Sequence, residues 1–451
     1  MKRLQAGALA AVLAAPLALT PAAQASAAPA HYTGTLPDGA TWIADVPAHW
    51  NGTLVLFSHG FGPLTPADRP SEAAGKALLD RGYALAGSSY DPNGSLWALG
   101  SAVRDQIGTR DALVKLIGRP RRTLALGQSM GGLVSAELAE TRAVDGVLTA
   151  CGIVGGGVDL NNYQLNAGHT IATLLAPSEE IKLTGYTSPE QGVAAGTQLT
   201  AAVTGAQSTP AGRARIALAS AFLNQSSWFD GDSPPARRDY AAQELQQYRW
   251  LSSGVLTFIF SGRYSIDQAA GGDSAWNKGL DYARLLRTSA NFRQVKHLYR
   301  EAGLNLGADL AALSATADKR VEPAPLAWLT RTSEPTGRLT VPNLTIHTIS
   351  DQLVPVEHQS EYARTVRAAG RTPLLRQAYV KRTGHCNFTA SEYVASLQAL
   401  EKRVETGHWR GTTAKSLNKA AASLSLDSAA FTPYRPAPLV VQPARPRTTR
   451  R

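Results

Sequence analysis

The chain contains few residues of several chemically informative types, and each shortage narrows its possible functions. Its 451 residues include only two cysteines, so neither a cysteine-rich metal site nor a disulfide-dense scaffold can form. No group of His, Cys and Asp has metal-ligand spacing, and Gly155-Gly156-Gly157 lacks the setting of a phosphate-binding loop. We therefore expect no metal and no cofactor.

Long apolar runs are also scarce, and the clearest lies at the N-terminus. Met1-Lys2-Arg3 is followed by an Ala- and Leu-rich stretch to about Thr20 and then by the small-residue sites Ala23-Gln24-Ala25 and Ala25-Ser26-Ala27. This layout is typical of a secretory signal peptide, here residues 1–27. The run is shorter than the roughly 20 residues that span a bilayer. We expect a secreted, extracellular protein without a membrane span.

Charged residues make up only 18% of the chain, yet the formal net charge is +11. Two of these positive charges lie in the signal peptide, and five arginines lie in the Pro-rich tail, residues 433–451, which leaves +4 for the rest. Such a weak excess does not favour nucleic acid as a partner. The tail could touch an anionic cell-wall polymer, although a solvated, disordered end is the simpler interpretation.

The order of strand-like and helix-like segments predicts an α/β fold. Strands and helices alternate in residues 31–152 and 341–410, which indicates a mostly parallel sheet with helices on both faces. Between them, residues 153–340 read as a helical cap, or lid, inserted after the strand that follows the helix at residues 133–141. Residues 411–451 form a C-terminal extension. Within the cap, helical periodicity falls on residues 211–224, 236–248, 276–286, 290–301 and 306–318.

Gly127-Gln128-Ser129-Met130-Gly131 is the most specific motif, because it lies between a predicted strand and a predicted helix. A serine on such a sharp turn needs small neighbours on both sides. The turn also directs backbone N–H groups at the N-terminus of the helix towards a developing oxyanion. Ser129 is therefore the candidate nucleophile.

A second motif, His59-Gly60-Phe61-Gly62, ends another buried strand that is expected near Ser129. The amides of Phe61 and Met130 are the candidate oxyanion hole. His59 is interpreted as a structural residue.

A serine nucleophile needs a base and an orienting acid. His385 follows the last predicted strand and is the candidate base, whereas His347 reads as a core residue and His358 lies on a helix face. Asp351 ends the strand between Ser129 and His385 in the chain and is the candidate acid. Asp159 is the rival acid.

The order of these motifs along the chain resembles that of the α/β-hydrolase superfamily. The motifs are the upstream His59-Gly60, then Gly-x-Ser129-x-Gly, Asp351-x-x-Val-Pro and Gly-His385. The resemblance covers roughly residues 35–152 and 341–405. It implies an eight-stranded, mostly parallel sheet and acyl transfer through a covalent acyl-enzyme without a cofactor. The fold alone does not choose the substrate.

The two cysteines, Cys151 and Cys386, make an even pair in a chain that is expected to be exported. Cys151 closes a strand and Cys386 adjoins His385, so this topology would bring both near the site. We expect a disulfide that holds the loop of His385 to the sheet; two buried free thiols are the alternative.

These features favour a secreted serine hydrolase that acts on small-molecule or polymeric carboxylic esters. An aminopeptidase or amidase of the same fold is one alternative, and it would need an anchor for the substrate amine, such as Glu179-Glu180 or Asp281. A non-catalytic binding protein on a hydrolase scaffold is another. Four tryptophans of the predicted cap either line an acyl pocket or serve in packing: Trp228, Trp250, Trp276 and Trp328.

Overall fold

A computed structural model describes residues 28–442. The predicted signal peptide and the last nine residues of the basic tail lie outside this range. One sheet of nine strands forms the centre of the molecule. The strands, in chain order, are β1 (Ala30–Thr35), β2 (Thr41–Val46), β3 (Thr53–Ser58), β4 (Ala84–Ser88), β5 (Arg122–Gln128), β6 (Gly146–Ala150), β7 (Asn343–Ser350), β8 (Leu375–Thr383) and β9 (Phe431–Thr432).

The strands lie side by side in the order β1-β2-β4-β3-β5-β6-β7-β8-β9. Strands β3 to β8 are parallel, while β1, β2 and β9 pair antiparallel at the edges. The predicted mostly parallel sheet is therefore confirmed, with nine strands where the resemblance implied eight. The additional strand, β9, is a two-residue segment, too short to leave a hydrophobic pattern in the sequence.

The α-helices of the described residues fall into three groups along the chain. They are α1 (Glu72–Leu79), α2 (Ala102–Ile117) and α3 (Met130–Leu138); then α4 (Gly157–Leu175), α5 (Pro189–Ala206), α6 (Pro210–Leu223), α7 (Tyr240–Trp250), α8 (Leu256–Ala270), α9 (Tyr282–Thr288), α10 (Phe292–Glu301), α11 (Leu306–Thr316) and α12 (Pro323–Thr332); and finally α13 (His358–Ala368), α14 (Ala390–Thr406) and α15 (Ala414–Ala422).

Helices cover both faces of the sheet. Helices α1, α14 and α15 pack on one face, and α2, α3 and α13 pack on the other. The central strands are buried on both sides, which explains why Thr53–Ser58 is a continuous apolar run rather than an alternating one. The helices α4 to α12, all between β6 and β7, are called the helical insertion below.

The end of the described chain packs against the helical insertion. Asn224, at the C-terminus of α6, accepts a hydrogen bond from the Val440 amide through Oδ1 and donates to the Val440 carbonyl through Nδ2. Gln442 donates to the carbonyl of Trp276, and Leu439 and Val440 are buried. A solvated end was the simpler interpretation of the tail, and it is wrong for these residues.

No helix in residues 28–442 has both the length and the apolar character needed to cross a membrane.

Candidate active site

Ser129 lies in the turn between β5 and α3, and its backbone is strained. Its φ of 58° and ψ of −123° lie outside the regions that most L-residues adopt. The turn is crowded as well, because a Cβ on Gly127 would lie 2.0 Å from the Gly131 carbonyl oxygen. A Cβ on Gly131 would lie 2.0 Å from the Ser58 carbonyl oxygen. Gly127 is thus required for the close approach of β5 and α3, and Gly131 for the close approach of α3 and β3.

Ser129, His385 and Asp351 form one hydrogen-bonded chain. The Ser129 Oγ lies 2.8 Å from the His385 Nε2, and the His385 Nδ1 lies 2.7 Å from the Asp351 Oδ2. Asp351 directly follows β7 and His385 comes two residues after β8, so parallel strands bring both to the edge of the sheet where β5 ends. The structure brings together the three side chains that the sequence singled out.

Asp351 is buried and well supplied with hydrogen-bond donors. Its Oδ1 accepts from the amides of Leu353 and Val354, both at 2.9 Å. Burial by itself would raise the pKa of Asp351, but the charge of His385 and hydrogen bonds from His347 and His385 hold this pKa well below its ordinary value of 3.8. Asp351 is therefore an anion at neutral pH.

His347 is a second histidine that lies close to the Asp351 carboxylate. The amide of Gln359 donates to the His347 Nδ1 at 2.9 Å, which leaves the ring proton on Nε2. That Nε2 lies 2.9 Å from the Val354 carbonyl oxygen and 3.5 Å from the Asp351 Oδ2. His347 is fully buried, as the sequence predicted, but it also contacts the acid of the site.

A disulfide joins Cys151 and Cys386, which confirms the prediction. Cys151 follows β6, and its amide donates to the Ile346 carbonyl of β7. Cys386 directly follows His385, so the bridge ties the His385 loop to the sheet. Among the described residues, the group with metal-ligand spacing is Cys151, His385 and Cys386, and its two sulfur atoms are bonded to each other.

His59 lies beside Ser129 but is held by the backbone. Its ring stacks on Tyr90 with centroids 4.2 Å apart, and its nitrogens face the carbonyls of Gly60 and Ser89. Burial lowers the pKa of His59. These contacts agree with the structural role that the sequence indicated.

Ser129 lines a cavity of about 560 Å³ between the sheet and the helical insertion. Its walls are mostly apolar and include Phe61, Trp97, Leu160, Phe258, Ile259 and Ile266. Besides Ser129 and His385, the polar side chains of the lining are His59, Gln128 and Gln164, while the indole N–H of Trp97 donates to the Ser333 hydroxyl. The lining contains no Asp, Glu, Lys or Arg. The cavity therefore suits an uncharged, largely apolar group.

Several residues considered from the sequence lie outside this cavity. Neither Glu179-Glu180 nor Asp281 belongs to its lining, and Asp281 instead caps α9 by accepting from the Arg284 amide. The rival acid, Asp159, lies in the first turn of α4. None of the four tryptophans of the insertion lines the cavity; Trp97, before α2, does.

Asp267, next to Ile266 on α8, is a buried carboxyl that lies near Arg263 and the backbone amide of Ser274. Burial raises the pKa of Asp267 to about 7, although the charge of Arg263 opposes the shift. As pH rises from about 4 to 7, the unfolded chain therefore loses this proton while the folded protein keeps it. The free energy of unfolding should fall across that range, by up to about 1.4 kcal/mol per pH unit from this group.

We expect Asp267→Asn to remove this group's decrease in the free energy of unfolding between about pH 4 and pH 7. Urea unfolding of wild type and variant at pH 5 and pH 7 measures it: the variant should gain stability relative to wild type at pH 7. The exposed Asp232→Asn is the control and should show the same difference from wild type at both pH values. An Asp267→Asn difference that is independent of pH would contradict the prediction.

Comparisons with known proteins give one relative and several fold neighbours. No family model matches the chain. The chain is 28% identical over 431 residues to an o-phthalyl amidase of Xanthobacter agilis. The alignment covers 86% of this chain and 90% of the amidase. Feruloyl esterase B from Aspergillus oryzae aligns with 14% identity and a TM-score of 0.41, over 84% of this chain and 80% of its own. Esterase Pf2001 from Pyrococcus furiosus aligns with 13% identity and a TM-score of 0.37. The alignment covers 83% of this chain and 90% of the esterase.

The strand order and the strained serine between β5 and α3 are typical of the α/β-hydrolase superfamily. In that superfamily the serine, the acid and the histidine follow one another in this chain order. The same order holds for Ser129, Asp351 and His385. The resemblance inferred from the sequence is confirmed at the level of the fold, because the chain has the fold of the α/β-hydrolase superfamily.

Proposed function

We propose that the protein is a serine hydrolase that cleaves carboxylic esters through an acyl-enzyme. The observation that carries the proposal is the 2.8 Å contact between the Ser129 Oγ and the His385 Nε2 at an apolar cavity. The second ring nitrogen of His385 faces an ionised, buried Asp351. A histidine held in this way can accept a proton from the serine hydroxyl.

In the proposed acylation step, the Ser129 Oγ attacks the ester carbonyl while the His385 Nε2 takes the hydroxyl proton. Asp351 stabilises the imidazolium that forms. His385 then passes the proton to the departing alcohol, which leaves the acyl group on Ser129. In deacylation, His385 takes a proton from water, the hydroxide attacks the acyl carbonyl, and the acid leaves as the proton returns to Ser129.

The oxyanion of both steps is assigned to the backbone amides of Phe61 and Met130. Met130 is the first residue of α3, so its amide is one of those that have no acceptor within the helix. Phe61 lines the cavity, and Gly60 lies so close to Ser129 that a Cβ there would be 3.2 Å from the Ser129 Cβ. Losing one such donor typically costs about 3 kcal/mol of transition-state stabilisation.

Amide hydrolysis is the second candidate, and the o-phthalyl amidase relative favours it. The steps would be the same as for an ester, except that His385 passes its proton to a departing amine as the C–N bond breaks. The aminopeptidase form of this alternative is less well supported, because a free substrate amine would find no carboxylate in the cavity lining.

We also propose that the protein is secreted. The N-terminal sequence with its small-residue cleavage sites supports export, and so does the Cys151–Cys386 disulfide, since disulfides persist in oxidising compartments. N-terminal sequencing of protein from the culture medium should give a start near residue 28. An intact Met1 on exported protein would contradict cleavage.

The test of the function compares p-nitrophenyl esters with p-nitroanilides of the same acyl group, from acetyl to palmitoyl and including benzoyl. Ester turnover that is lost in Ser129→Ala would support the proposal, and anilide turnover alone would favour the amidase. A fluorophosphonate probe should label wild type and not Ser129→Ala. Failure of both turnover and labelling would favour a binding protein on a hydrolase scaffold.

A further inference from the structure

Helix α4 carries a row of buried amide side chains, which is unusual for a helix inside a protein. Asn161, Asn162, Gln164 and Asn166 are all at most 5% exposed. Burial of an amide is unfavourable unless the amide makes hydrogen bonds. Each of these side chains therefore needs a partner.

Three of the four amides each make a hydrogen bond inside the helical insertion, although the Asn161 Oδ1 and the Asn162 Nδ2 have no partner among the described residues. Asn161 donates to the Ser274 hydroxyl at 2.9 Å. Asn162 accepts from the amide of Trp276 at 3.0 Å, and Asn166 accepts from the Tyr282 hydroxyl at 3.0 Å. These amides hold α4 to the segments that follow α8.

Gln164 is the exception. It is 5% exposed and lines the same cavity as Ser129, yet its side chain has no hydrogen-bond partner among residues 28–442. The nearest lining residue on the same helix is Leu160, one turn away, and Phe258, Ile259 and Ile266 of α8 contribute further apolar wall. Gln164 thus brings one donor and one acceptor group into a mostly apolar space.

We propose that Gln164 is a specificity-determining residue that hydrogen-bonds a neutral polar group of the substrate. The inference rests on the proposed function and narrows its substrate class to largely apolar, ring-sized esters or amides that bear one hydroxyl, carbonyl or amide group. Three observations set this class: the aromatic walls, the cavity volume and the absence of charged side chains from the lining. A neutral amide cannot offset a full charge in apolar surroundings, so a charged substituent is disfavoured.

The test uses pairs of substrates that differ by one hydrogen-bonding group at constant shape. In the acyl half, p-nitrophenyl 3- and 4-(hydroxymethyl)benzoates are compared with the 3- and 4-ethylbenzoates. In the alcohol half, (hydroxymethyl)benzyl acetates are compared with ethylbenzyl acetates. The readout is the ratio of kcat/KM within each pair, for wild type, Gln164→Leu and Leu160→Ala.

Gln164→Leu should lower the preference for the hydroxymethyl member about 10-fold in at least one set, as expected for the loss of one neutral hydrogen bond in an apolar site. Leu160→Ala is the matched control on the same helix and should change both members of a pair by similar factors. The melting temperature of Gln164→Leu should equal or exceed that of wild type, because the change removes a buried amide without a protein partner.

The proposal would be overturned if Gln164→Leu kept the kcat/KM ratio of each pair within twofold of the wild-type ratio in both substrate sets. A lower melting temperature for Gln164→Leu would also overturn it, because it would reveal a protein partner for the amide.

A binding measurement separates this inference from the proposed hydrolysis. Binding of 4-(hydroxymethyl)acetophenone and 4-ethylacetophenone to the Ser129→Ala protein can be followed by ligand-observed NMR, with and without Gln164→Leu. A preference that depends on Gln164 would support the inference even if wild type hydrolysed none of the esters. Equal affinities in both proteins, together with normal ester turnover, would overturn the role of Gln164 and leave the proposed function standing.

Discussion

Replacing Asp351 with asparagine is expected to lower kcat for ester hydrolysis about 10⁴-fold, the loss typical of a triad whose acid becomes an amide. The asparagine Oδ1 can keep accepting the amides of Leu353 and Val354. The NH₂ group then faces the Nδ1 of His385, which must act as an acceptor. The ring proton moves to Nε2, and His385 can no longer take the proton of Ser129.

Kinetics on p-nitrophenyl esters measure this effect, and circular dichroism verifies that the variant is folded. The matched control is Asp159→Asn, which changes the rival acid in the first turn of α4 and should cost less than 10-fold. If Asp159→Asn were the inactive protein and Asp351→Asn were active, the assignment of the acid would be wrong.

Removal of the Cys151–Cys386 bridge should have the largest effect on stability. The two cysteines are 235 residues apart in the chain, so the bridge closes a very long loop in the unfolded state. Loss of a native bridge typically costs about 2–5 kcal/mol. We expect the double variant Cys151→Ala/Cys386→Ala to unfold at lower denaturant concentration and to have a lower kcat, since the loop of His385 is no longer tied to the sheet.

Denaturant melts of the oxidised protein, the reduced protein and the double variant test this expectation. The reduced protein and the variant should agree with each other. If reduction left both the unfolding midpoint and the esterase activity unchanged, the bridge would have no role in holding His385.

The sequence indicated which side chains the fold brings together, because their signals are local. Gly127, Ser129 and Gly131 define a turn that few other residue types allow, and Asp351 and Gly384-His385 directly follow buried strands. In a parallel sheet, strand ends meet at one edge, so chain order was enough to bring them together. The disulfide followed from the same reasoning about strand ends.

The helical insertion was harder to predict, for physical reasons. Helix α4 begins directly after Gly155-Gly156 and is buried on nearly every side, so it has no solvent-exposed face to mark it in the sequence. The predicted helix at 236–248 begins only at Tyr240, where Asp239 caps it through the Ala242 amide. Gln164 carries no signal of its own, because a single glutamine in a helix is typical of a solvated surface.

The paired amide contacts between Asn224 and Val440 have a consequence for the order in which the protein is made. The helical insertion is synthesised long before residues 439–442, yet it packs against them. Its folding can therefore be completed only after residues 439–442 have emerged from the ribosome. A chain that stopped before Leu439 would still contain Ser129, Asp351 and His385, but its helical insertion would be incompletely packed.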